Sequence, residues 1–332
     1  MKKVINVPEQ VVEEMLQGMT LAYPQYLRRV DGFDVLVRVN SPVTGKVGLI
    51  SGGGSGHEPS HAGFVGRGML DGAIAGAVFT SPTPDQVYEA IKAVDSGNGI
   101  LLIIKNYSGD VMNFEMAIEM ANAEGIIVDK VIVDDDVAVE NSTWTIGRRG
   151  IAGTVFVHKI TGAKAETGAG LADVKRVAEK VIANVRSMGM ALAPCIVPAA
   201  GKPSFVLDDN EIEIGMGIHG EPGTHREAMS NADEITTHLV DKILADMPLN
   251  SGEEVAVLVN GLGATPLMEL YIVNRKVAAL LGHKGIKIAK TYVGNYMTSL
   301  EMAGFSVTLL KLDSELKELL FAQADTPALV QF

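Results

Sequence analysis

Two histidines in this sequence sit where an imidazole is left with little steric cover. His57 follows the run S51-G-G-G-S-G56 and precedes Glu58 and Pro59, while His219 lies in GMGIHGEPG, residues 215–223, behind the strand-like pattern EIEI. An imidazole titrates near neutral pH and serves as nucleophile, base or metal ligand. Four glycines in the five residues 52–56 imply positive-φ backbone or a close approach to some neighbour. Read as a tight turn, this stretch offers the N–H groups of Gly54, Ser55 and Gly56 to a small polar ligand. The plainer alternatives are a turn with a solvent-facing His57 and a packing role for His219.

A second polar cluster is KNYSGD, residues 105–110, after the apolar run ILLII. Lys105 and Asp110 bracket a Ser–Gly step at a strand's end, where open α/β sheets bind ligands. Asp110 serves equally as the N-cap of a helix opening at Val111, and the two roles are compatible. VDDDVAVE, residues 133–140, places Asp134, Asp135 and Asp136 in a row. Such a run can hold Mg²⁺, or it forms a solvated edge or helix cap. Arg148 and Arg149 in GRRG can meet a phosphate or an acidic partner surface, or pair with those aspartates. His61, His158, His225, His238 and His283 lack comparable surroundings, although His61 is a possible neighbour of the first loop. A zinc site on His57, His61 and His219 is not expected, because an i,i+4 histidine pair needs a helix and Glu58-Pro59 enforces a turn. No Walker A loop, full dinucleotide fingerprint or nucleophile-elbow serine is present.

The elements that must position these groups alternate between short β-branched runs and amphipathic helical patterns, as in a layered α/β protein. Strands are expected at 47–51, 100–105, 131–135, 190–197, 211–216, 255–259, 286–293 and 306–312. Helices are expected at 111–123, 171–187, 232–247 and 266–281, the last with Pro266 near its first turn, where a missing N–H is tolerated. The predicted architecture is two α/β domains, each a mixed β-sheet flanked by helices. The first, residues 1–185, holds most of the pocket, and the second, 186–332, brings the His219 loop.

With 332 residues, 47% of them hydrophobic, the chain is long enough for two buried cores. A net charge of −12 argues against direct binding of nucleic acid. The apolar stretch 188–201 is too short and too Pro-broken to span a bilayer, and MKKVINVPEQ is not a signal peptide. A cytoplasmic protein without membrane contact is expected. The single cysteine, Cys195, excludes an internal disulfide and reads as a buried, inert thiol.

Taken together the loops resemble the dihydroxyacetone kinases, specifically the substrate-binding subunit of the phosphotransferase-dependent type. The resemblance is carried in order by GKVGLISGGGSGHEP, FTSPTPDQ, LLIIKNYSGDVMNFE, VIVDDDVAV, GRRGIAGT, VPAAGKPSF, IGMGIHGEPG, VNGLGATPLMELY, TSLEMAGFSVTLLK and TPAL, from about residue 45 to 328. It implies that His219 bonds covalently to the ketone carbon of dihydroxyacetone as a hemiaminal. It also implies a pocket of Gly54, Ser55, Gly56, His57, Lys105 and Asp110. His57 and Asp110 are the candidate bases, expected to share the role, with His57 also polarising the substrate oxygen because an imidazole starts nearer the working pH. No cofactor is implied on this chain. ADP or ATP with Mg²⁺ belongs to a separate helical nucleotide-binding subunit, which a phosphotransferase phosphodonor subunit serves in turn, and the chain itself forms a homodimer. The family also contains non-catalytic paralogues that sense the same ligand and activate a transcription regulator, an alternative the pocket motifs leave open.

Overall fold

A computed structural model describes residues 2–140 and 145–332. The first sheet has the order β1-β2-β4-β3-β5-β6. Its strands are β1 (Leu27–Arg29), β2 (Val35–Arg38), β3 (Gly48–Ser55), β4 (Gly72–Val78), β5 (Ile100–Lys105) and β6 (Val128–Val133). Strands β4, β3, β5 and β6 run parallel, and β1 and β2 are antiparallel additions at one edge. The second sheet, order β11-β10-β12-β7-β8-β9, comprises β7 (Val185–Ala193), β8 (Glu211–Ile214), β9 (His225–Ala228), β10 (Glu254–Gly261), β11 (Lys287–Gly294) and β12 (Ala303–Leu312). It is antiparallel except for the β10–β11 pair. A short hairpin of β13 (Ala324–Asp325) and β14 (Val330–Gln331) closes the chain.

The helices are α1 (Val11–Ala22), α2 (Pro84–Val94), α3 (Ser108–Ala123), α4 (Thr154–Glu166), α5 (Leu171–Ala183), α6 (Ala232–Asp246), α7 (Leu267–His283) and α8 (Ser314–Phe321). Alternation along the strands sorts them into layers, because successive side chains in a strand point to opposite faces. In β5, Ile100, Leu102 and Ile104 pack against α2 and α3, while Leu101 and Ile103 face α4 and α5. In β10, Val255, Val257 and Val259 face α6 and α7, while Ala256 and Leu258 turn to the same cluster as α4 and α5. The molecule is therefore layered helix–sheet–helix–sheet–helix, and the middle helices are shared by both sheets.

The shared layer explains an element the sequence did not signal. Eleven of the 13 residues of α4 are buried, including His158 and Lys159. A helix covered on both sides has no polar face, so the amphipathic period that reveals surface helices is missing. Four expectations are corrected. The helix expected to reach residue 187 ends at Ala183, and the strand after it begins at Val185 rather than Met190. The glycine stretch 52–55 is not a turn but the end of β3, paired in parallel with β4 through Ser55 and Val78. Helix α3 opens at Ser108 with Tyr107 as N-cap, so Asp110 lies in the first turn and not at the cap. A carboxylate there still faces the positive end of the helix dipole.

Candidate active site

The glycines of β3 are explained by what crowds them. A Cβ on Gly52 would lie 2.7 Å from the Ile74 carbonyl oxygen, and one on Gly54 would lie 2.5 Å from the Thr80 nitrogen. A Cβ on Gly53 would sit 2.8 Å from Lys105 Nζ and 3.4 Å from Asp110 Oδ2. The strand thus lets β4 and the 79–80 turn close in on one side and two charged side chains on another. Both Lys105 and Asp110 are buried, and Lys105 Nζ and Asp110 Oδ1 have no hydrogen-bond partner. An unpaired buried polar atom is costly, and such atoms converging on a bare glycine make a polar socket. Burial lowers the Lys105 ammonium pKa, and the charges of Asp110 and Glu221 oppose that shift.

His57, fully buried, follows directly at the end of β3. Its Nδ1 donates to the Thr298 carbonyl oxygen at 2.8 Å, and its ring stacks on Phe79 with centroids 5.3 Å apart. Phe79 and Leu300 are the two non-glycine residues with positive φ, at 56° and 54°, among the described residues. Both press on Gly56, where a Cβ would lie 2.7 Å from the Phe79 ring and 3.2 Å from Leu300 Cδ2. A bulky residue in this region costs on the order of 1–3 kcal/mol, and such strain persists only where the surroundings enforce it. Strained backbone on two sides therefore fixes the His57 loop. The Gly56 N–H expected to face a ligand is instead engaged by the Glu58 carboxylate at 3.1 Å.

From the second sheet, the loop after β8 brings His219 to His57, with their Nε2 atoms 3.0 Å apart. Behind His219, Glu221 accepts its backbone N–H at 2.8 Å and its Nδ1–H at 3.1 Å. The His219 ring lies edge-on to Tyr107 at 4.6 Å and to Phe79 at 5.3 Å. Burial by itself would raise the Glu221 carboxyl, but the His219 charge and hydrogen bond and the Arg149 charge bring it down to about 2. Burial, reinforced by the charges of His219 and Lys105, pushes the His57 imidazole well below its ordinary value.

The two sheets thus bring together His57, His219, Lys105 and Asp110, along with Glu221, Phe79 and Tyr107, which the residue types alone did not single out. Glu221 stood in the quoted motif, and its spacing of two from His219 was the available signal. Phe79 gave none, since its role depends on a backbone angle. His61 does not join the pair; its Nδ1 lies 2.9 Å from His158 Nε2, deep against α4. Of the aspartate run, Asp135 accepts the Ile151 and Gly153 N–H groups at the start of α4, Asp136 pairs with Arg149, and Asp134 is exposed. Arg148 pairs with Asp246 rather than with that run. Cys195 is buried, and burial raises its thiol. Among the described residues no group of three His, Cys, Asp or Glu is arranged to hold a metal, and no helix is long and apolar enough to cross a membrane.

Residues 17–328 match the Dak1 domain family model. The chain belongs to the Dak1 family. It is 57% identical over 315 residues to the dihydroxyacetone-binding subunit of PTS-dependent dihydroxyacetone kinase 1 of Listeria innocua, covering 95% of each chain. Among solved structures it is similar to the dihydroxyacetone kinase of C. freundii, with a TM-score of 0.93 and 37% identity. That match covers 99% of this chain and 60% of the C. freundii chain. It is also similar to a dihydroxyacetone kinase operon co-activator, with a TM-score of 0.91 and 38% identity, covering 96% of this chain and 98% of the co-activator.

Proposed function

We propose that the chain is the dihydroxyacetone-binding subunit of a phosphotransferase-dependent dihydroxyacetone kinase. In this reading it holds its substrate on His219 as a covalent hemiaminal and presents a hydroxyl to a nucleotide-bearing partner subunit. The observation that carries the reading is the contact between two Nε2 atoms whose rings are both committed at Nδ1. A carbonyl oxygen only accepts, so His57 Nδ1 carries a hydrogen toward Thr298. The Glu221 carboxylate likewise draws the hydrogen of His219 to Nδ1. Two neutral rings would then face each other with lone pairs, and a 3.0 Å contact requires one shared proton.

That proton has a use. The Nε2 proton of His219 passes to His57, the freed lone pair adds to the ketone carbon, and the C=O π pair moves to oxygen. His57 then returns the proton to that oxygen. One C–N bond forms and one π bond breaks, and the His219 ring is cationic before and after, balanced by Glu221. The bonded ring nitrogen has no further hydrogen to lose, so the adduct stops short of an imine and stays reversible. Glycerol has no carbonyl and cannot form it, a sharper discrimination than the about 1–3 kcal/mol available from shape between such small polyols. In this reading Lys105 steadies the substrate oxygens. The open Asp110 oxygen takes the hydroxyl proton as the phosphoryl group arrives, because positioning and charge stabilisation dominate such transfers. ADP or ATP and Mg²⁺ belong to the partner subunit, recharged by a phosphodonor protein.

The co-activator likeness supports a second reading, a ligand sensor that transfers nothing. The higher identity to a kinase subunit, 57% against 38%, favours the first. Reconstitution with a nucleotide-binding subunit and phosphodonor separates them: dihydroxyacetone phosphate forms if the first holds, and its absence despite a demonstrated adduct leaves the sensor. The adduct is read by the C2 signal of ¹³C-labelled dihydroxyacetone moving from the ketone to the tetrahedral-carbon region, a change lost in His219→Ala.

A further inference from the structure

Arg149 is completely buried, yet none of the chemistry above uses it. Its Nε donates to Asp136 Oδ2 at 2.8 Å, and its Nη2 lies 2.6 Å from the same oxygen. Nη2 also donates to the Gly215 carbonyl at 2.7 Å, and Nη1 to the Pro222 carbonyl at 3.4 Å. Gly215 and Pro222 are the two ends of the loop that carries His219, so one guanidinium ties down both. Between them, a Cβ on Gly217 would collide with Glu221 Oε2 and lie 2.7 Å from Arg149 Nη1. Carboxylate and guanidinium therefore converge on the spot that this glycine leaves bare. Asp136 is anchored in turn, its Oδ1 accepting the Ala138 N–H at 2.9 Å.

We propose that Arg149 is a positioning residue which, acting through Glu221, keeps a hydrogen on His219 Nδ1, so that Nε2 is the nitrogen freed as nucleophile once the shared proton passes to His57. The physical reason is the competition at Glu221. Burial favours its neutral acid form, and a neutral acid can donate to Nδ1 and drive the ring hydrogen to Nε2, where it removes the attacking lone pair. A permanently charged guanidinium beside it, itself neutralised by Asp136, keeps the carboxylate ionised and the ring correctly loaded. The other polar groups around this loop include His57, Lys105, Tyr107 and Asp110 on the side of the first sheet, and Ser204, Glu213 and Arg226 on the side of the second. None of these donates a hydrogen bond to Glu221, whereas His219 does so twice. The assignment rests on the reading of His219 as nucleophile for its consequence, but the tautomer is a property of the chain alone.

The test is ¹⁵N-histidine NMR on the full chain at a pH high enough to remove the shared Nε2 proton, so that neutral tautomers are read, alongside the rate of dihydroxyacetone adduct formation. Wild type is expected to show His219 with Nδ1–H. Glu221→Gln keeps the shape but not the charge, and Arg149→Gln removes the cation. Both are expected to populate the Nε2–H form and to slow adduct formation markedly, toward the roughly 10⁴-fold loss seen when an acid–base histidine is held in the wrong tautomer. Either variant retaining the wild-type tautomer overturns the proposal. Should Arg149→Gln fail to fold, Arg149→Met, which also removes the cation, is read in its place. Adduct loss in step with the fall in Nδ1–H supports the proposal, and adduct loss without it, or no change at all, overturns it. A wild-type chain with the expected tautomer but no adduct sinks the hemiaminal reading and leaves the Arg149 assignment standing.

Discussion

His57 and His219, 162 residues apart and carried by different sheets, meet Nε2 to Nε2 at 3.0 Å, each with its Nδ1 tied to an acceptor behind it. Neither ring can rotate without giving up that acceptor. On the proposed reading the reacting atoms are preset by the groups behind the two rings, an arrangement that turns binding into catalysis.

Asp110 should separate capture from transfer. Asp110→Asn keeps the size of the side chain and removes the base. Adduct formation is expected to persist while turnover in the reconstituted system falls by about 10²–10⁴-fold, the usual worth of a positioned base. Near-normal turnover would move that role to His57.

Phe79 combines a ring over His57 with a strained backbone. Truncating a packed phenylalanine commonly costs about 3–5 kcal/mol, but Phe79→Gly also relieves the positive φ. The loss of stability should therefore be clearly smaller than for Phe79→Ala, and adduct yield should fall in both. Urea denaturation of the two variants decides it; an equal loss would mean the backbone angle carries no strain.

Gly54→Ala and Gly18→Ala should move stability in opposite directions. A methyl on Gly54 meets the backbone of Thr80 at 2.5 Å and is expected to cost about 1–3 kcal/mol. Gly18 lies within α1 with nothing within 4 Å of a Cβ, so alanine there should stabilise by about 0.5–1 kcal/mol. Thermal unfolding of both variants reads the signs directly.

Acid should destabilise the fold through its buried histidines. Burial pushes His57 and His61 well below the ordinary imidazole value, and His158 to about 3. A folded value below the unfolded one means that the unfolded chain binds protons first. Stability is then full above pH about 6.5 and is lost as pH falls toward the folded values, by up to about 1.4 kcal/mol per unit for each histidine. Urea midpoints at pH 7.5 and 5.0 should differ strongly, and His158→Asn should flatten the dependence by one histidine's share. A pH-independent midpoint over that range would contradict the burial of these rings as neutral groups.

Much of the frame is written locally. The run ILLIIK reads as a strand and is β5 at the same bounds, and Ala232 does open α6, because short apolar runs and amphipathic periods need only neighbours in the chain. Some local signals were also passed over, such as the Thr83–Gln86 capping box that opens α2, but the instructive failures were elements whose environment is distant. Helix α4 hides its period between two sheets, and the glycines of β3 read as a turn because their reason is Ile74, Thr80 and Lys105 rather than any adjacent residue. Asp110 was legible as a residue at a helix start, but its position inside the first turn depends on Tyr107 taking the cap.

By itself the sequence determined the layered α/β class, the strand end that carries Lys105, and the motifs that carry His57 and His219. Only the tertiary structure decided that the two histidines face each other, that Glu221 stands behind one and Thr298 behind the other, and that Arg149 clamps the loop between Asp136 and Gly215. The reason is one of range. Backbone propensity and hydrophobic period act over a few residues, whereas tautomer, protonation and reactivity depend on what lies within about 3 Å in space, and here those neighbours arrive from the other sheet.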